Sequence, residues 1–149
     1  MRIDEEIKQK KFVSPIQKAH LNVMFTSNWI IGTTKGILKP FGITHQQYNV
    51  LRILKGRSPE YCTADDVKSV MLDKSPDLTR LLDRLIDKGF VNRRVCEENR
   101  RKLDIGITAN GKKLLIKIGP KIKSHHDKAN VLTNNEAEEL SRILDKLRG

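Results

Sequence analysis

The chain has 149 residues, of which 32% are charged and only 5% are aromatic, and its formal net charge is +11. This length suits one globular domain with a sizeable core, and the composition disfavours a β-sandwich and favours a helical protein. No apolar run approaches the roughly 18 residues of a membrane-spanning helix, and the first residues lack the apolar centre of a signal peptide.

The positive charge is unevenly distributed along the chain. Residues 41–73 contain four basic and four acidic residues, residues 74–102 nine and five, and residues 112–128 six and one. A basic excess centred on one segment is typical of phosphate contact. A generally basic, solvated surface is the alternative interpretation.

The two cysteines, Cys62 and Cys96, form neither a CxxC pair nor a metal-ligand spacing. They predict no disulfide framework and indicate a reducing cytoplasm, with both thiols structural and buried. His125 and His126 are adjacent, so they point about 100° apart on a helix and do not form a metal-binding pair. We therefore expect no metal and no cofactor.

A first long helix is predicted over residues 14–38. Ser14 and Pro15 suit an N-cap followed by proline at the first helical position. Its apolar residues occupy more than one face, which predicts packing against both its own domain and a second subunit. Gly32 and Gly36 lie four residues apart on this helix, a spacing that permits close contact with another helix.

Three aromatic residues near this helix are candidates for a ligand pocket. Phe25 and Trp29 lie one turn apart on it, and Tyr48 lies on the next helix. Ordinary packing in the core or in a dimer interface is the alternative explanation for all three.

Two capped helices are predicted next. Thr44 and Gln47 form a capping box for a helix that ends at Gly56, and Thr63 caps another helix with Asp66 at its third position. The residues expected to face inward are Tyr48, Val50, Leu51, Ile53 and Leu54 in the first helix, and Val67, Val70 and Met71 in the second.

A further helix is predicted to begin at Ser75, Pro76 and Asp77 as N-cap, first and second positions. Leucines at 78, 81, 82 and 85 follow the helical repeat and predict a buried stripe, which leaves Arg80 on the opposite side. The preceding short helix, a tight turn and this helix have the sequence shape of a helix-turn-helix, a unit that binds duplex DNA through its second, recognition helix. Only the first turns of a recognition helix enter the major groove deeply. The predicted DNA contacts are therefore Lys74, Ser75, Pro76, Asp77, Thr79, Arg80 and Arg84. Arg80 is the favoured base reader, since a guanidinium matches guanine O6 and N7; a merely solvated face is the alternative.

A β-hairpin is predicted after Gly89, which suits the end of the preceding helix. Residues 90–96 and 102–107 read as two strands joined by a polar tip. Arginine on a thin loop suits a narrow minor groove. A hairpin that follows a helix-turn-helix in this way is called a wing. Its predicted contacts with DNA are Arg94, Asn99, Arg100, Arg101 and Lys102.

Two closing helices are predicted over residues 112–147. The first carries apolar residues at 114, 115, 118 and 122 with lysines on its exposed side, and Gly119-Pro120 predicts a kink in it. Thr133 and Glu136 form a capping box for the last helix, whose apolar face includes Leu140, Ile143 and Leu147. Together with residues 14–38, these helices predict a two-fold dimer interface.

The order of these elements resembles the MarR family of winged helix-turn-helix transcriptional regulators over about residues 14–147. The most specific segments are SPDLTRLLDRLIDKGFVNRR and the wing leading into ITANG. The resemblance implies a mainly α protein with a small β-hairpin wing (α+β): one domain over 1–149, with a winged-helix DNA-binding lobe at 44–107 and dimerisation helices at 14–38 and 112–147.

The implied function is that of a cytoplasmic homodimer that binds double-stranded DNA at a pseudo-palindromic operator. For many members the resemblance also implies repression relieved by a small aromatic effector, bound between the dimer helices and the lobe. Two departures stand out. Asn99 replaces the Asp that commonly precedes the wing arginine, here Arg101, and the first helix lacks the cysteine of peroxide-sensing members.

Two other function classes are alternatives to a sequence-specific regulator. An architectural or nonspecific nucleic-acid-binding protein would use the same fold and charge, and random competitor DNA distinguishes it. An enzyme ranks last, because the chain shows no Ser/His/Asp order, no paired carboxylates and no phosphate-binding Gly-rich loop.

Overall fold

The computed structural model describes residues 1–74, 77–95, 103–129 and 131–149. Seven α-helices and three strands are assigned in these ranges. They are α1 (Ile3–Glu6), α2 (Pro15–Leu38), α3 (His45–Arg57), β1 (Cys62–Thr63), α4 (Ala64–Val70), α5 (Leu78–Asp87), β2 (Val91–Val95), β3 (Leu103–Ile107), α6 (Ala109–Ala129) and α7 (Asn134–Arg148). The fold is mainly helical with a small antiparallel sheet, which confirms the predicted fold class.

The start and end of α2 follow from local chemistry. The Ser14 hydroxyl accepts a hydrogen bond from the Gln17 N–H at 3.1 Å, and Pro15 occupies the first position, as predicted. A 3-10 turn at Lys39–Phe41 ends the helix, and Gly42 follows it with a φ of 66°. Because glycine lacks Cβ, that left-handed conformation is accessible without strain.

The predicted capping boxes of α3 and α4 are both present. Thr44 pairs with Gln47, and Thr63 pairs with Asp66, in reciprocal side chain to backbone hydrogen bonds. The prediction that Val70 faces inward is wrong. Its side chain is 51% exposed, because α4 is only seven residues long and ends at that residue.

The predicted start of α5 is wrong by two residues. Asp77 is the N-cap, not the second helical residue: its carboxylate accepts the Arg80 N–H at 3.2 Å. An aspartate caps a helix as well as a serine does, so Asp77 satisfies the first turn without help from Ser75. Ser75 and Pro76 lie outside the described residues. The helix ends as predicted, with Gly89 at a φ of 70°.

The three strands form one antiparallel sheet in the order β1-β3-β2. β3 is central: Cys62 pairs with Ile105 on one side, and Arg93 pairs with Ile105 on the other. Alternation sends Cys62 and Ile105 into the core, where both are buried. The residues that alternate with these along the strands form the opposite, outer face of the sheet: Asn92 and Arg94 on β2, and Asp104 and Gly106 on β3.

One continuous core joins the lobe to the flanking helices. α3, α5 and the sheet enclose it, and Leu38 from α2 and Ile118 from α6 are fully buried in it. α7 contributes no buried residue, and several long apolar side chains of α2 are exposed. None of the helices in the described ranges is both long and apolar enough to cross a bilayer.

Candidate nucleic-acid interface

The outer face of α5 is set by its buried stripe. Leu78, Leu82 and Leu85 point into the core, and Leu81 packs partly against it. At about 100° per residue, that stripe turns Arg80 directly away from the core. The helix therefore presents a polar face along its whole length.

The turn before α5 is held by a contact that the sequence did not indicate. The Asn49 side-chain oxygen, on α3, accepts a hydrogen bond from the backbone N–H of Leu72 at 3.2 Å. This bond ties the segment between α4 and α5 to the body of the lobe. No sequence pattern marks it, because the partners lie 23 residues apart.

Most of the predicted contacts on this segment are exposed. Asp77 uses its carboxylate as the cap of α5, and Ser75 and Pro76 are among the residues that the structure leaves undescribed. The remaining candidates are all at the surface: Lys74, Thr79, Arg80 and Arg84. Three of these four exposed side chains are basic, those of Lys74, Arg80 and Arg84.

The two arginines of β2 lie on opposite sides of the sheet, and each engages an acid. Arg93 donates from Nη1 to the Asp83 carboxylate of α5 at 3.1 Å. Arg94 points to the outer face of the sheet, where its Nε lies 3.6 Å from a carboxylate oxygen of Asp104. The partner of Asp83 therefore comes from the wing strand β2. Asp83 and Asp104 are thus each paired with an arginine of β2, whereas Asp87 of α5 is exposed.

The tip of the wing lies outside the described residues. The predicted contacts Asn99, Arg100, Arg101 and Lys102 belong to that stretch, as does Cys96. Arg94 is the one predicted wing contact within the described ranges. Its guanidinium lies 4.0 Å from the centre of the Tyr61 ring.

The three aromatic residues of the predicted ligand pocket do not come together. Phe25 and Trp29 line a pocket of about 200 Å³ with Met1 and Ile3, where α1 packs on α2. Tyr48 lies apart, partly buried against the core of the lobe, and its hydroxyl accepts a hydrogen bond from Arg52 at 3.5 Å. The one-turn spacing of Phe25 and Trp29 thus identified two residues that line one pocket, and Tyr48 is not among the residues that line it.

A second, larger cleft lies between the end of α2 and the start of α3. Its volume is about 530 Å³, within the range of small-molecule sites. Ile31 and Ile43 supply apolar walls, and Lys35, Lys39 and His45 supply the titratable groups. No sequence pattern marks this cleft, because it lies between two helices and is lined in part by the turn at Gly42.

Cys62 is buried beneath the sheet, as predicted. Its Sγ lies 3.9 Å from the Ile105 carbonyl oxygen, and burial raises the pKa of the Cys62 thiol. The protonated, weakly nucleophilic form is therefore favoured. Within the described ranges, no three His, Cys, Asp or Glu side chains are grouped as metal ligands.

Comparison with known proteins agrees with this geometry. A model of the MarR family matches residues 43–103, which include α3, β1, α4, α5 and β2. The structure of a MarR transcription factor from Planctomyces limnophilus is 33% identical, with a TM-score of 0.68. The match covers 91% of this chain and 98% of that one.

Two solved complexes with DNA share the fold. A mutant MarR from E. coli complexed with operator DNA is 24% identical, with a TM-score of 0.77, and the match covers 93% of this chain and 99% of that one. The MepR–DNA complex from S. aureus is 21% identical, with a TM-score of 0.76, and the match covers 90% of this chain and 96% of that one.

Proposed function

Because the chain belongs to the MarR family of transcription regulators, we propose that it acts as a homodimer that reads a pseudo-palindromic operator. One observation carries the proposal: α5 is fixed by its leucine stripe so that Arg80 and its polar neighbours face outward beside the wing strands. The proposal requires no catalysis. A regulator of this kind binds the genome. That role agrees with the reducing cytoplasm expected from the cysteine pattern.

We assign sequence reading to the first turns of α5. There, Thr79 and Arg80 face outward and Lys74 precedes the helix. A guanidinium donates two hydrogen bonds to guanine O6 and N7, the commonest specific contact in the major groove. Arg84, one turn later, is assigned to phosphate. We place Ser75 and Pro76 at the edge of this contact with DNA, next to Asp77, which caps α5.

The wing is assigned to the neighbouring minor groove. β2 and β3 lead into the segment that contains Arg100 and Arg101, and arginine is attracted to narrow minor grooves by their concentrated negative potential. Asn99 and Lys102 flank these two arginines, and Arg94 stands at the base of the wing.

The dimer is proposed from apolar faces that this chain does not cover by itself. On α7, Leu140, Ile143 and Leu147 recur at helical spacing and are 46%, 48% and 47% exposed. On α2, another stripe is exposed, formed by Ile16, Val23, Met24, Ile30 and Ile31. Contiguous exposed apolar surface of this kind marks an interaction site. A second copy of the same chain is the partner that buries both stripes.

Repression relieved by a small aromatic effector is the finer part of the proposal. The cleft between α2 and α3 lies where an effector would contact both a dimer helix and the lobe. Its Lys35, Lys39 and His45 favour an aromatic carboxylate. Phe25 and Trp29 form the alternative site. Titration with benzoate distinguishes the two sites, since Lys39→Ala weakens binding only at the cleft.

Selection of bound duplexes from a random pool tests the function directly. The expected result is a two-fold motif whose half-sites are about one helical turn apart. Recovery of no motif would sink the proposal. A basic, architectural DNA-binding protein is the second candidate, favoured by the exposed lysines of α6. Affinity for the best sequence less than about tenfold above random DNA would support it, because specific binders typically exceed random DNA by roughly 10³.

A further inference from the structure

Tyr61 lies across the outer face of the three-stranded sheet. It immediately precedes β1, and its hydroxyl accepts a hydrogen bond from the Asn92 side chain on β2 at 2.8 Å. β3 lies between these two strands. The tyrosine ring therefore crosses the central strand to reach the far one.

The ring can cross β3 because of one glycine. Gly106 is the Cα partner of Asn92, and a Cβ placed on Gly106 would lie 2.8 Å from Cε1 of the Tyr61 ring. Real carbon atoms do not approach so closely without displacement. An isolated glycine within a strand commonly marks such a close approach.

The same ring also contacts Arg94, two residues after Asn92 on β2. The Arg94 guanidinium lies 4.0 Å from the ring centre, and its Nε is 3.6 Å from Asp104 on β3. The side chain of Asp104 is only 16% exposed, whereas that of Arg94 is 53% exposed. The arginine is thus held on two sides at the base of the wing.

We propose that Tyr61 is a positioning residue for DNA binding: it fixes the direction of the wing and the side chain of Arg94. β1 pairs with β3 at only two positions, so backbone pairing alone ties the wing weakly to the lobe. The tyrosine adds a direct contact between the start of β1 and β2. This inference rests on the proposed function, since it assumes that the wing reaches the minor groove.

Footprinting separates positioning from general stability. The probe is an end-labelled duplex with the motif selected from the random pool. Hydroxyl radicals report the minor groove that the wing covers, and dimethyl sulfate reports guanine N7 in the major groove. Tyr61→Leu removes the π face and retains an apolar side chain. We expect it to lose minor-groove protection at both flanks, keep N7 protection, and bind about five- to tenfold more weakly.

Two further variants keep the test decisive. Tyr61→Phe retains the ring over Gly106 and Arg94 and should keep the flanking footprint. Gly106→Ala should displace the ring and reproduce the loss seen with Tyr61→Leu. In a Tyr61→Ala background, the same Gly106→Ala change should have no further effect, because the ring is already absent.

Three outcomes would overturn the inference: Tyr61→Leu with intact minor-groove protection, equal loss of both footprints in a variant whose melting temperature matches the parent, or additive effects of Tyr61→Ala and Gly106→Ala. A failure of the proposed function looks different, because the unmodified protein would then select no motif. Each variant's melting temperature is measured beside its footprint.

Discussion

The winged-helix lobe and the terminal helix α7 differ in how far their apolar side chains are buried. In the lobe, Leu51 and Leu54 of α3 and Leu85 of α5 are almost entirely buried within one chain. In α7, Leu140 and Ile143 have the same helical spacing but remain about half exposed. Contacts within the chain thus complete the core of the lobe, with Leu38 of α2 and Ile118 of α6 buried in it, whereas the apolar face of α7 stays half exposed.

The difference also separates two roles. Contacts within the chain fix the direction of α5. Under the proposed function, the chemistry that reads DNA is therefore built into each copy. The distance between two copies of α5 would be set by the helices whose apolar faces remain exposed. On this view, affinity for a half-site belongs to the lobe and spacing between half-sites belongs to the dimer.

The largest expected effect is on the lobe core. Leu85→Ala should lower the free energy of unfolding by about 2–5 kcal/mol, because truncation of a fully buried leucine leaves a cavity. Urea denaturation monitored by circular dichroism at two protein concentrations measures this loss. The loss relative to the parent should be the same at both concentrations.

Val70→Ala is the matched control, since its side chain is 51% exposed. It should change the free energy of unfolding by no more than about 0.5 kcal/mol. A large loss for Val70→Ala would restore the original expectation that this residue faces inward.

The next effect is on assembly. Leu140→Asp combined with Ile143→Asp should weaken the dimer by about 100-fold or more, since burial of unpaired charges at an interface costs several kcal/mol. Sedimentation equilibrium measures the dissociation constant. Arg142→Asp, on the opposite side of α7, should leave it nearly unchanged. A parent protein that sediments as a monomer would contradict the assignment of α7 to a dimer.

DNA reading provides the third test. Arg80→Ala should cost about 1–3 kcal/mol on the selected operator and relax discrimination at one base pair of each half-site. Competition binding against single-base variants of the operator measures both effects. Arg148→Ala removes the same charge from α7 and should not alter discrimination. An equal loss on every sequence would reduce Arg80 to a phosphate contact.

The ion pair between α5 and the wing should contribute less. Arg93 and Asp83 have half-exposed side chains, and exposed pairs contribute about 0.2–1 kcal/mol. A double-mutant cycle of Asp83→Asn and Arg93→Gln measures their coupling energy, which should decrease as salt increases. A coupling that is large and independent of salt would mean that the pair behaves as a buried one.

The smallest expected effect is a pH dependence at the start of α7. The Thr133 backbone N–H and hydroxyl both donate to the Glu136 carboxylate at 2.8 Å, and these bonds lower the pKa of Glu136. A lowered carboxyl pKa contributes stability that is fully present above the ordinary carboxyl range and is lost as pH falls through the lowered pKa. Helicity at 222 nm should therefore decrease slightly less on acidification in Glu136→Gln than in the parent. Identical acid titrations would contradict a role for this cap.

The sequence predicted the local elements well, and the reason is physical. Capping chemistry and helical periodicity act within about four residues, so Ser14, Thr44, Thr63 and Thr133 identified helix starts that the structure confirms. The misplaced start of α5 arose where Ser75 and Asp77 competed as caps. Periodicity alone could not choose between them.

The candidate interface was predicted less completely. The outward direction of Thr79, Arg80 and Arg84 followed from the leucine repeat. The contact of Asn49 with the turn before α5 did not, because it joins residues that are distant in sequence. Tyr48 was grouped with Phe25 and Trp29 on aromatic character, a property that carries no information about position in space.

By itself, the sequence determined where the helices begin, which faces are apolar, and that basic charge gathers on residues 74–102. Only the tertiary structure decided which partners the wing arginines take. The register of β2 on β3 places Arg94 beside Asp104 and Asn92 opposite Gly106, and it lets Tyr61 reach across the strand between them. These contacts join chain segments that are ten or more residues apart, and local patterns do not encode how such segments meet.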